Sequence, residues 1–401
     1  MTGPLSGIRV LDLTSVLMGP FSTQLLGDLG AEVLKVEPLK GDDSRHGGFA
    51  RHRGMGGGFL NTNRSKKSLA IDLKSPAGRD AVLRLATNCD AFVSNVRPKA
   101  LARLGLDYAA VSAARPEIVY VNLVGYGKRG RYANRPAYDD LIQATSGLAT
   151  LIQRAMGGEP RYVPLAMVDR IVGTSAVNAI LAGLLANQRT GKGQEIEVPM
   201  FETMVQFVLG DHLQGHAFVP PEGPIGYPRL LSPHRRPFAT RDGYIAILPY
   251  NDGQWRRFFA AVGQPELADD GRFTSHANRV ANIDTLYSLV GRLLAERTTA
   301  EWQAILDRAD IPAMPLNTLE SLLEDPHLAD AGFLETVEHP SEGPIRRIGI
   351  PSSWSGTPPP PIAPAPRLGQ HSAEILALAG FSPDEIEALV GAGIVAAAPA
   401  S

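Results

Sequence analysis

Asp169 stands where two apolar stretches meet. Residues 162–168 (YVPLAMV) precede it, and residues 171–187 continue without a charged side chain for about four or five helical turns. The pattern predicts a buried strand-like segment leading into a buried helix, with Asp169 at the N-cap between them. There its carboxylate would face unpaired backbone N–H groups and the positive end of the helix dipole, a setting that keeps the acid ionised. Taken alone, these residues describe a helix cap.

The other chemistry-bearing residues fall into a few groups. Basic side chains crowd the first third of the chain, among them Lys40, Arg45, Arg51, Arg53, Arg64, Lys66, Lys67, Lys74, Arg97, Lys99 and Arg103, with the glycine run GMGGG at 54–58 between them. Most suit a solvated face, but as a set they also suit an anionic, phosphate-bearing ligand. Metal chemistry finds no support, because the nine histidines are scattered and the pair His212 and His216 (HLQGH) lacks the glutamate of HExxH. No GxSxG motif is present. Cys89 is the single cysteine, which excludes an intramolecular disulfide framework and reads as inert.

These residues need elements to hold them. With 401 residues, 44% of them hydrophobic, the chain can bury a large core in two domains or three. A net charge of −2 offers no overall attraction to nucleic acid or to an anionic membrane. The N-terminus has no signal-peptide pattern, and one cysteine fits a reducing, cytoplasmic compartment. The 171–187 stretch is the best membrane-span candidate, but it is marginally short and contains Thr174, Ser175 and Asn178, so a buried soluble helix is favoured.

Strand and helix signals alternate from residue 8 to residue 123, which predicts an α/β layered domain with a mainly parallel sheet. In such a sheet ligands bind beyond the carboxyl ends of the strands, here at residues 15–17, 95–98 and 125–128. A dinucleotide site with Glu37 as the ribose acid would make the chain a dehydrogenase, but the first turn, TSVLMGP, lacks the GxGxxG glycines. The texture changes after PPEGPIGYP at 220–228. The expected organisation is a large domain over 1–215, a linker over 216–235, a smaller α+β domain over 236–330, and a return segment with C-terminal helices over 331–401. A hairpin is expected at Arg241-Asp242-Gly243, strand pairing within 335–350, an extended proline-rich run near 358, and fraying from 395.

Several segments match known motifs in order: GIRVLDLTSVLMGPFSTQLLGDLGAEVLKVEP at 7–38, NRSKKSLAIDLKSPAGRD at 63–80, DAFVSNVRPKALARLGLDY at 90–108, VNLVGYGKRGRYANRPAYDDLIQATSGL at 121–148, Asp169 with TGKGQEIEV, and LGQH at 368–371. Together they span most of the chain. On them the sequence resembles the class III CoA-transferases, a formyl-CoA transferase-like group that includes carnitine-pathway CoA-transferases and alpha-methylacyl-CoA racemases.

The resemblance implies a Rossmann-like large domain in an interlocked homodimer, and an acyl-CoA:carboxylate CoA-transferase working through aspartyl anhydride and aspartyl-CoA thioester intermediates on Asp169. CoA or acyl-CoA would be substrate, with no permanently bound cofactor. It assigns CoA contacts to Ile71, Lys74, Asn95, Val96 and Arg103, with Arg45 as a further candidate, and places Tyr138 and Asp139 next to the active site. Two departures bear on specificity. Leu17 stands where formyl-CoA transferases carry a glutamine, and YPRLLSPHRRPF stands near their glycine run. Arg229, His234, Arg235 and Arg236 there are either an exposed basic loop or a contact for the free carboxylate of a dicarboxylic acyl group. The racemase branch pairs the aspartate with a histidine, but Tyr138 occupies that position, and a phenol is a poor proton acceptor near neutral pH. A non-catalytic acyl-CoA-binding subunit is the remaining alternative.

Overall fold

The computed structural model describes residues 3–396. Twelve strands form three sheets. They are β1 (Arg9–Leu13), β2 (Glu32–Glu37), β3 (Lys66–Ile71), β4 (Ala91–Ser94), β5 (Val119–Val124), β6 (Gln194–Pro199), β7 (Phe238–Ala239), β8 (Tyr244–Ile247), β9 (Ala313–Pro315), β10 (Leu334–His339), β11 (Gly343–Ile348) and β12 (Val395–Ala396). The largest sheet has the order β12-β3-β2-β1-β4-β5-β6. Every pair in it is parallel except β12 with β3.

The interior strands are mostly apolar because helices cover both faces of a parallel sheet; every residue of β4 and β5 is buried. The order β3-β2-β1-β4-β5-β6 is that of a doubly wound dinucleotide fold, and the order in which strands are added reverses between β1 and β4. Crevices that take ligands open at such a switch point. The expected mixed α/β architecture with a large parallel-sheet domain is therefore present.

Contacts divide the chain into two compact units. One comprises residues up to Ser146, Val163–Val205 and the chain from Ala329 onward; the other comprises Gly147–Tyr162 and Gln206–Leu328. The second has its own aromatic-rich core, centred on Trp255, Phe258, Phe259, Phe273 and Trp302, and its β7-β8-β9 sheet contains the expected hairpin. The pairing expected within 335–350 is the antiparallel β10–β11 ladder. The C-terminus departs from expectation at 395–396, which is not frayed: Val395 and Ala396 pair with Ile71 and Ala70 at the sheet edge. The rest of the expected frayed tail lies outside the described residues.

Three helices frame the site: α1 (Met18–Asp28), α2 (Asp139–Thr145) and α3 (Met167–Thr190). At 24 residues, α3 is long and apolar enough to cross a membrane by length and composition. One stripe of it, including Val168, Val172, Ala176, Ile180 and Leu184, is buried against the large sheet and α1, while Thr174, Asn178 and Leu185 face outward. Gly173 permits the close approach to α1, since a β-carbon there would lie 2.9 Å from both the Met18 carbonyl oxygen and the Phe21 ring.

Candidate active site

Asp169 is not the N-cap of α3. The cap position is Ala166, which supplies no side-chain hydrogen bond, and Asp169 is the third residue of the helix. Nor are residues 162–168 a strand; they run as irregular backbone into the first turn. The spacing misled because an apolar run closed by an acid fits either arrangement. The capping is done from another helix: Asp139, the first residue of α2, accepts the backbone N–H of Asp169 at 3.0 Å. Acceptance of a first-turn N–H by a carboxylate is the bond an N-cap side chain would have made.

Gln143, one helical turn after Asp139, secures this arrangement. Its amide nitrogen donates to Asp139 at 2.6 Å and its carbonyl accepts the Val163 N–H at 2.9 Å. Fully buried, it ties α2 to the chain that enters α3. Sequence reasoning passed over it, although its i+4 spacing from Asp139 in DDLIQ would place both on one helix face.

The half-buried carboxylate of Asp169 has no hydrogen-bond donor and no ion-pair partner among the described residues. Burial raises its pKa, the nearby Asp139 charge raises it further, Arg170 opposes both, and the result is about 6. The acid is thus less firmly ionised than a cap would be. It is a carboxylate at neutral pH, poorly solvated and uncompensated, which is the state of a nucleophile or base awaiting a ligand.

The loop after β1 leads into α1, which packs on α3. Val16 sits at φ +71°, a left-handed conformation that strains a β-branched residue. Three bonds hold the loop: the Val16 N–H donates to Asp42 at 3.1 Å, and Asn95 grips Ser15, accepting its N–H at 2.9 Å and donating to its carbonyl at 2.8 Å. Asn95 therefore bridges the ends of β1 and β4 across the switch point, and its amide is committed to that task. Val96 is half-buried and packs on the core of the large sheet. Gly19 lets α1 start tight against Thr14, whose Cβ would be 2.4 Å from an added β-carbon.

Lys74 and Arg103 are brought together. They line a cleft of ≈ 220 Å³ with Leu73, Ser75, Pro76, Arg79 and Leu104. Both are exposed, and among the described residues neither cation has a carboxylate partner, so the pair remains available to an anion. Arg79 was not singled out from the sequence.

Two of the expected ligand contacts have side chains turned into the interior. Arg45 is 1% exposed and forms a bidentate pair with Glu37, both bonds 2.7 Å, beneath Phe59, whose ring centre is 3.8 Å from the guanidinium carbon. Its remaining bonds go to the Gly54 and Pro366 carbonyls, so it is part of the interior. The side chain of Ile71 is also wholly buried, in the core of the sheet. A one-dimensional pattern cannot distinguish a basic residue facing a ligand from one that has found a buried acid. Tyr138 is 67% exposed at the head of α2. Arg229, His234, Arg235 and Arg236 lie in the second unit, where Arg229 donates to the Tyr287 hydroxyl at 3.0 Å. His212 is buried and accepts the Tyr227 N–H, and burial pushes the Cys89 thiol up to about 12, so both play structural parts.

A larger cavity of ≈ 340 Å³ lies elsewhere in the first unit, between residues 49–64 and the β10–β11 hairpin. It gathers Arg51 and Arg64 of the basic set, but not Asp169, Lys74 or Arg103.

Comparison with known proteins gives a consistent picture. The model of CoA-transferase family III matches residues 5–372. The mouse protein named succinyl-CoA:glutarate CoA-transferase is 36% identical over 397 residues, covering 98% of this chain and 90% of that protein. A succinate–glutarate CoA-transferase of Agrobacterium fabrum is 32% identical, covering 93% of this chain and 95% of its own. Among solved structures, a CAIB/BAIF family protein from Brucella suis superposes with a TM-score of 0.78 at 30% identity, over 94% of this chain and all of that one.

Proposed function

The chain belongs to CoA-transferase family III, and from that premise we propose that it moves CoA between short-chain carboxylic acids, dicarboxylic acids among them, with Asp169 as the nucleophile. The observation that carries the reading is the Asp169 carboxylate itself: half-buried, without a donor, and fixed by its backbone to Asp139.

An Asp169 oxygen attacks the carbonyl carbon of the donor acyl-CoA, the C–S bond breaks, and CoA leaves as thiolate, giving a mixed anhydride. The thiolate then attacks the Asp169 acyl carbon of that anhydride. The donor acid departs as a carboxylate and an aspartyl-CoA thioester remains. The acceptor carboxylate attacks this thioester and again expels thiolate, which attacks the acceptor's acyl carbon and frees the Asp169 carboxylate. No net proton moves, so Asp169 must only be ionised. Covalent catalysis of this kind divides one difficult exchange into easier steps, and exclusion of water protects the anhydride. Lys74 and Arg103 suit the CoA phosphates, and the strained 15–17 loop forms the wall beside the reacting carbons. The same reading makes the protein a cytoplasmic, interlocked homodimer; the outward stripe of α3, with Thr174, Asn178 and Leu185, suits coverage by a second copy, a point open to light scattering.

The deciding experiment is mass spectrometry of enzyme incubated with acyl-CoA, with and without hydroxylamine. A CoA adduct on Asp169, converted by hydroxylamine to a hydroxamate, is the expected result. An Asp169→Ala variant that still exchanged CoA between two acids at the normal rate would remove the basis of the proposal.

A further inference from the structure

Arg170 follows Asp169 on the first turn of α3, and no step above uses it. Its guanidinium carbon lies 4.4 Å from the centre of the Phe21 ring on α1. The side chain is half-buried, and among the described residues no carboxylate or carbonyl pairs with the guanidinium. Other arginines packed into this fold behave differently. Arg45 has Glu37, Arg64 has Asp28 and Arg279 has Asp252. Burial lowers the pKa of Arg170, and the charge of Asp169 works against that shift. A guanidinium does not deprotonate in a protein, so a half-buried one without an anion is a standing cost that an arriving anion relieves.

The chemistry of the substrates narrows which anion that is. The phosphates of CoA are a whole pantetheine arm away from the thioester carbon, so a residue beside the nucleophile does not meet them, and the cleft with Lys74, Arg79 and Arg103 already suits them. The carboxylate that becomes acylated is consumed at Asp169. What remains within reach is a second carboxylate, a few carbons along the acyl chain. The planar fork of an arginine, held flat by an aromatic ring, takes a carboxylate through two parallel N–H bonds.

We propose that Arg170 is a specificity-determining residue, binding the distal carboxylate of a short dicarboxylic acyl group while the other end reacts at Asp169. The consequence is selection of dicarboxylic over monocarboxylic acids of equal chain length. This inference rests on the reading of Asp169 as the acyl-carrying nucleophile.

The test compares wild type with Arg170→Met and Arg170→Lys. Transfer is followed from succinyl-CoA to glutarate and from butyryl-CoA to valerate. Loss of a charged hydrogen-bonding partner corresponds to roughly 10–100-fold in affinity. The methionine variant should lose about that factor in kcat/KM for glutarate, mostly through KM, and change less than about threefold for valerate. The lysine variant, which keeps the charge but not the fork, should fall between. Formation of the Asp169 adduct from butyryl-CoA reports that each variant is folded and competent. Equal losses for both acids, or no loss for either, would overturn the role of Arg170 while leaving the nucleophile intact. Absence of any adduct in wild type would overturn the nucleophile, and Arg170's role with it.

Discussion

Asp12 and Asp169 are the same residue type in the same α/β unit, with opposite surroundings. Asp12, on β1, is wholly buried. It accepts bonds from the Thr14 hydroxyl at 2.5 Å and the Thr23 hydroxyl at 2.6 Å, and pairs with Lys66 at 3.1 Å. Burial opposes its ionisation, but Lys66, Lys35 and the two hydroxyls more than reverse that and hold its pKa below the usual range. Next to it, Lys35 pairs with Asp42 at 2.9 Å, and Glu37 with Arg45. At Asp169 burial acts in the same direction, but the charge with the larger effect on it is another acid, Asp139, and no donor reaches the carboxylate. A structural carboxylate has its partners within the fold. One that must bond to a substrate cannot, and its raised pKa measures what the fold has withheld.

The largest effect that tests this contrast is on chemistry. Asp169→Asn should lower CoA transfer by at least about 1000-fold, measured as exchange between two acids. The same change should stabilise the protein. With a folded pKa of about 6, raised from 3.8, the folded state binds the Asp169 proton more tightly than the unfolded chain. Ionisation therefore costs stability above that pH and nothing below the unfolded value. The Asn variant should gain on the order of 1–3 kcal/mol at pH 7.5, and the gain in melting temperature should vanish toward pH 4.

Arg45→Met should show the reverse profile. Leaving Glu37 buried without its guanidinium costs about 3–5 kcal/mol, read as a lower denaturation midpoint. At a temperature where the variant stays folded, its KM for acyl-CoA should remain within about twofold of wild type, because the buried guanidinium is already bonded to Glu37 and to two carbonyls. A selective rise in KM without loss of stability would return Arg45 to the binding site. Asp139→Asn sharpens the comparison from the other side. It removes the acid that raises the Asp169 pKa while an amide oxygen can still accept the Asp169 N–H, so the acidic limb of kcat/KM, near pH 6 in wild type, should move to lower pH. A limb that stays in place would mean that burial alone sets it. The smallest effect is expected at Lys74→Ala, a rise of about 3–10-fold in KM for acyl-CoA with kcat unchanged.

Legibility followed the range of the interactions involved. The parallel sheet could be read because a strand buried on both faces is apolar along most of its length, and the hairpin at Arg241-Asp242-Gly243 because turn chemistry is local. The edge strand at Val395 and Ala396 could not, since two residues carry no periodicity and their pairing partner is over 300 positions away. Among the site residues, Lys74 and Arg103 lie beyond the carboxyl ends of two parallel strands and meet in one cleft; Arg45, from the same basic set, turned inward because Glu37 lies beneath it.

By itself the sequence determined the class of the fold, the family, and the presence of an acid at the head of a long uncharged helix. These depend on residue order and on burial patterns that one dimension retains. Tertiary structure alone decided that Asp169 is a helical residue capped by Asp139, that Gln143 clamps the pair, and that Arg170 stacks on Phe21 without an anion. The reason is physical. Whether a charge is compensated depends on which groups come within a few ångströms of it, and those groups are brought from three helices, the first of them more than a hundred residues from the other two.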